Sequence, residues 1–204
     1  MSMLKSRDVY VDRMHRVTEH IDQHECIALI RGINVGRGNR VSMSDLRQLV
    51  SDLGHTNVRT LLNSGNVLFQ SRGRNVAKLS SSIEAAITAK CGFSAMVAVI
   101  TAEDLTSIID ENPLVKLATD PSKHLVAFAS RPELLAPLRP MLKEEWSPDA
   151  LAITSRAAYL WCSAGVLDSK VSQAFVRNAG AGVTTRNWAT VLKLQAAVQG
   201  RQGA

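Results

Sequence analysis

Apolar positions along this chain switch between short continuous runs and a helical spacing, and the switches mark out its elements. The run from Cys26 to Ile30, closed by Arg31, predicts a buried strand. Met43, Leu46, Leu49, Val50 and Leu53 then recur at helical spacing. Ser42 stands where a cap belongs, Asp45 lies in the capping-box position, and Gly54 ends the helix. Residues 58–62 and 67–70 read as strands joined by a tight turn over 63–66, because Asn and Gly tolerate the dihedrals such turns need. A second helical stripe follows in Val76, Leu79, Ile83, Ala86 and Ile87, with Gly92 at its end, and residues 96–100 form a fourth strand.

The order β-α-β-β-α-β then recurs. Thr101 to Asp104 predicts a cap and first turn for a short helix ended by Asn112-Pro113. Residues 124–129 read as a strand. Pro132 opens a helix that Pro137 and Pro140 keep short or broken. Residues 150–154 and 158–162 form a hairpin about Ser155-Arg156, Asp168 caps a helix bearing Val171, Phe175 and Val176, and 183–185 is the last strand. A final helix, opened by Arg186 and Asn187, carries Trp188, Val191, Leu192 and Val198 inward and leaves Lys193 exposed. The predicted class is α+β: two ferredoxin-like units with antiparallel sheets and extra helices. The boundaries are 1–24 for an N-terminal extension, 25–101 for the first unit, 102–120 for a helical linker, and 121–204 for the second unit with its C-terminal helix.

With 204 residues, 46% of them hydrophobic, the chain can bury one sizeable core or two small ones. No apolar run approaches ~18 residues, which predicts no membrane span, and no signal-type stretch follows Lys5 and Arg7. The expected location is cytoplasmic. Cys26, Cys91 and Cys162 are far apart and read as buried free thiols. His15, His20 and His24 are a weak basis for a metal site and read as solvated; no metal is expected, and no motif names a cofactor.

Charge is uneven. The formal net charge is +6, but residues 26–100 hold nine basic and three acidic side chains, whereas 101–150 hold five and nine. A basic first unit attracts phosphate or nucleic acid, though an ordinary solvated surface varies in the same way. The predicted topology carries the end of the first strand to the turn between the second and third. Arg31, Gly32, Asn34, Gly36, Arg37, Asn39 and Arg40 then lie beside Ser64, Gly65 and Asn66, as a candidate anion site of backbone N–H groups and guanidiniums. The alternative is structural: Asn34 and Asn39 tie down their own loop, and Asn66 satisfies the hairpin backbone. A second polar cluster comprises Arg186, Asn187, Trp188 and Lys193.

The familiar catalytic and nucleotide patterns are missing. Gly38 is followed by Asn39, not by the Lys-Ser/Thr of a Walker loop, and Gly36-x-Gly38 lacks the last glycine of a dinucleotide fingerprint. There is no His-Glu-x-x-His, Cys-x-x-Cys or Gly-x-Ser-x-Gly segment. Aromatics are 4% of the chain, and Phe69 is the only one on the first hairpin's strands, so single-stranded nucleic acid is weakly supported as a partner.

At residues 29–36 (Leu-Ile-Arg-Gly-Ile-Asn-Val-Gly), at Ser64-Gly-Asn66 and at Thr185-Arg-Asn-Trp188, the chain resembles DUF1697, a bacterial family of unknown function. The resemblance spans about 25–198 and implies a two-part α+β body without implying a reaction. Arg37 stands where the family usually has a second glycine, and Leu61 where an aromatic often precedes the turn. Three functions follow as expectations. One is binding of a phosphate-bearing small molecule or other anion. The second is an enzyme whose interdomain cleft brings Arg31 and Asn34 to Arg186 and Asn187. The third is a structural or partner-binding module using exposed strand edges. Oligomeric state stays open.

Overall fold

The computed structural model describes residues 23–36 and 38–200. Arg37 and all but the last two positions of the expected 1–24 extension lie outside the described residues.

In the first unit, β1 (His24–Ile30), β2 (Thr56–Leu61), β3 (Asn66–Ser71) and β4 (Val97–Thr101) form a sheet in the order β2-β3-β1-β4, antiparallel at every pairing. Between them run α1 (Met43–Asp52) and α2 (Val76–Cys91). Ser42 caps α1 by accepting from the Asp45 amide, and Asn75 caps α2 through Lys78 N. After α3 (Ala102–Asp110), opened by a full Thr101–Asp104 capping box, the second unit repeats the plan. Its strands β5 (His124–Ala129), β6 (Ala150–Ile153), β7 (Ala158–Trp161) and β8 (Val183–Asn187) take the order β6-β7-β5-β8, again antiparallel. Pro132–Lys143 is a 3-10 helix; its internal Pro137 and Pro140 cannot donate to an α-helical ladder. The elements α4 (Lys170–Asn178) and α5 (Trp188–Gln199) complete the chain.

Three apolar layers hold these elements. Cys26, Ala28, Val67 and Phe69 meet Leu46, Leu49, Ile83 and Ile87 of α1 and α2. Leu125, Ala127 and Leu160 meet the 3-10 helix and Phe175 of α4. The middle layer joins the units: Ile27, Leu29 and Leu68 on the reverse of the first sheet share one cluster with Val126, Phe128 and Tyr159 of the second, and with α3 and α5. Both faces of each sheet are therefore covered. This explains why β1 and β5 are apolar runs and not alternating strands. The stretch expected to act as a linker includes α3, which lies in this middle layer, where Tyr159 Oη donates to Ile108 O at 2.7 Å. Among the described residues no helix is long and apolar enough to cross a membrane.

Three local expectations need correction. Ser169, not Asp168, caps α4 by accepting from Ser172 N. Its hydroxyl in turn donates to Asp149, a carboxylate distant in sequence. The strand predicted over 183–185 extends to Asn187, because pairing with β5 continues to Leu125 opposite Asn187. Arg186 is thus a strand residue and Asn187 the cap of α5. On α5, Leu194 is buried in the middle layer and Leu192 is 40% exposed.

His124 is fully buried at the start of β5 and stacks on Trp188 with ring centroids 5.0 Å apart. Asn112 Oδ1 is taken by Leu114 N, so its Nδ2 faces Nε2 of the ring at 3.4 Å. That makes Nε2 the acceptor and puts the neutral ring's proton on Nδ1, which has no partner among the described residues. Burial pushes the pKa down to about 4. The unfolded chain protonates near 6.5 and the folded one near 4, so this stability is complete above the higher value and lost as pH falls between them. In urea titrations the protein should lose roughly 1–3 kcal/mol more between pH 7 and 4.5 than His124→Phe does. Equal losses would remove His124 as the cause.

Candidate functional site

The site begins where β1 ends. Ile30 N donates to Gly65 O and Arg31 N to Met96 O, both at 2.8 Å, so the chain leaving β1 passes directly over the β2–β3 turn. Gly65 has φ +76°, and a Cβ there would stand 3.0 Å from Ile30 O and from the Ile33 side chain. Both the dihedral and the space call for glycine. The following loop is closed by Asn34, whose Nδ2 donates to Val41 O (2.9 Å) and whose Oδ1 accepts from Val41 N (3.0 Å). Asn34 Nδ2 also reaches Asn63 O at 3.3 Å, which ties the loop to the turn. Asn39 Nδ2 donates to Gly32 O, and Arg40 Nη2 to Gly36 O. The buried Asn66 donates to Leu61 O and Ser64 Oγ. These amides spend their donors on the chain itself, as the structural alternative requires.

Arg186 reaches this corner from the other unit. Its Nε donates to Asn66 Oδ1 at 2.5 Å and its Nη2 to Ile30 O at 3.0 Å, with longer contacts to Ser64 O and Gly65 O. Its Nη1 donates to Thr184 Oγ1 and Thr185 O in its own strand. No carboxylate among the described residues forms an ion pair with it. Neutral oxygens alone hold the guanidinium, and its desolvation lowers the pKa to about 10. Arg31 makes the reciprocal crossing: Nη1 donates to Gly180 O (2.7 Å) and Val183 O (3.0 Å). Its Nε and Nη2 bond to nothing among the described residues.

Between these two arginines lies a hollow of about 230 Å³. Arg31, Arg186, Thr184 and Thr185 give it polar walls, Phe175 and Val176 of α4 an apolar one, and no carboxylate among the described residues lines it. A second hollow, of about 450 Å³, adjoins it across Arg31 and shares Arg31, Gly32, Val176 and Gly180. Asn39 lines this second one.

The sequence candidates are thereby divided. Arg31, Gly32 and Arg186 share a cavity. Asn34 and Arg40 line a different hollow, of about 490 Å³, with Asn63, Ser42 and Arg47 at the start of α1. Ser64, Gly65 and Asn66 lie beneath Arg186 and hold it. Asn187 accepts from Thr190 N and Oγ1 as a cap, Trp188 is in the middle core layer, and Lys193 is exposed. Gly36 is exposed in the loop, and Arg37 is outside the described residues. Thr184 and Thr185 belong to the polar stretch Thr184–Trp188 legible in the sequence, whereas the wall residues Val176 and Gly180 lie outside both predicted clusters and carried no signal for the site.

The chain is thus an α+β protein of two ferredoxin-like units, with arginines reaching across their seam. The family model for DUF1697, described as a protein of unknown function, matches residues 24–159, and the chain belongs to that family. The match stops short of the Arg186 segment. A solved structure, that of conserved bacterial protein SP0830 from Streptococcus pneumoniae, is similar in fold with a TM-score of 0.72. Its sequence identity is 21%, over 85% of this chain and 97% of that one. A search of curated proteins finds no match.

Removing the clasp has a measurable cost. Arg186→Leu keeps the apolar stem but leaves Asn66 Oδ1 and Ile30 O without their donor, while relieving the burial of a cation. The balance should destabilise by about 1.5–3 kcal/mol in equilibrium denaturation. A variant as stable as the parent would show that the clasp does not hold the units.

Proposed function

We propose that the chain binds a small phosphate- or carboxylate-bearing molecule in the crevice between its two units. The supporting observation is the hollow walled by Arg31, Arg186, Thr184 and Thr185, with no carboxylate among the described residues. Arg31 supplies the direct contacts, since its Nε and Nη2 retain N–H groups for charge-assisted bonds. Arg186 has committed its N–H groups and contributes its charge, which a dry setting screens less than water would. Binding is favoured over catalysis. The described histidines His24, His55 and His124 all stand outside this wall, which offers hydroxyls and cations but no base to activate them.

A nucleic-acid platform of the open-sheet kind finds no support, because both faces of each sheet are covered. Free thiols at Cys26, Cys91 and Cys162 fit a reducing, cytoplasmic setting.

Isothermal titration with inorganic phosphate at low salt should give saturable binding that weakens as salt rises. Arg31→Gln should weaken it about 10-fold or more, with a thermal melt reporting separately the stability lost with its bonds to Gly180 O and Val183 O. Absence of binding by phosphate, nucleotides and simple carboxylates at low salt would refute the proposal.

A further inference from the structure

Resting on that anion-binding reading, we infer that the crevice takes an amphipathic organic anion: an acidic head on Arg31 with an apolar body laid along Val176. Val176 is 63% exposed on α4, whose other apolar residues Val171, Ala174 and Phe175 turn into the third core layer. Core packing therefore does not account for a branched apolar side chain at this position. Its place does: Val176 lines both hollows that meet at Arg31. The larger hollow continues the apolar surface with Ala95, Met96 and Ala181. Among the described residues the exposed Arg31 is anchored through Nη1 alone, to two carbonyls. Arg31 itself lines both hollows. A bare inorganic ion would use the cationic wall and leave this apolar strip wet. A ligand with a short hydrocarbon body covers both, and each methylene it buries adds up to about fourfold in affinity.

The test is titration of the full-length protein with two homologous series, methyl to hexyl phosphate and acetate to hexanoate, beside inorganic phosphate. Affinity should climb with chain length, by roughly 10- to 100-fold from the shortest to the longest member. The tighter series identifies the head group. Val176→Ser, at a solvent-facing position, should keep the parent's melting temperature while flattening the chain-length gradient. Arg31→Gln should weaken every member by a similar factor. If inorganic phosphate binds but chain length has no effect, the apolar body is refuted and the anion site stands. A gradient that persists unchanged in Val176→Ser overturns the assignment of the strip. Failure of every anion to bind, inorganic phosphate included, overturns both readings.

Discussion

Arg186 carries a full positive charge into the seam between two sheets and meets no carboxylate there among the described residues, whose neutral oxygens accept its hydrogen bonds. Burying a cation is costly unless its donors are satisfied. The acceptors must therefore be in place: the end of β1, the turn after β2, and the amide of Asn66. Each of these has its own support. Asn66 is fixed by its bonds to Leu61 and Ser64, and the turn carbonyl Gly65 O also accepts from Ile30 N. The relative placement of the units follows from this corner together with the apolar middle layer behind it.

The crossings run in both directions. Arg31 and Arg59 of the first unit reach carbonyls of the second, at Gly180, Val183 and Ala197, while Arg186 reaches back. Part of the basic excess over residues 26–100 is thus spent inside the molecule. A charge count alone overstates what is offered to a partner. The sulfur and histidine chemistry contracts likewise: burial raises the Cys26 thiol pKa to about 12 and keeps His124 neutral. What stays available at the seam is Arg31, with two threonine hydroxyls and an apolar strip beside it.

Local signals in the chain were dependable where the physics is local. Ser42, Thr101 and Gly92 mark helix ends because a cap is decided by a few adjacent residues. They misled where a distant partner intervened. Asp168 is a plausible cap by composition, but Ser169 takes the role with its hydroxyl anchored on Asp149. Arg186 looks like the opening of a helix, yet pairing with β5 holds it in a strand, and Asn187 both ends that strand and caps α5.

Periodicity and turn chemistry, both carried by neighbouring residues, determined from the sequence alone that this is an α+β chain with the same element order twice. They also singled out Arg31, Asn34 and Asn66 as polar positions close to one turn. What those side chains do was settled only by tertiary structure. Asn34 and Asn66 close loops, Arg186 clasps the units, and Arg31 keeps unused N–H groups beside a cavity whose other wall comes from residues about 150 positions later. A hydrogen bond is satisfied by whichever acceptor the fold brings within about 3 Å, and separation along the chain does not encode that distance.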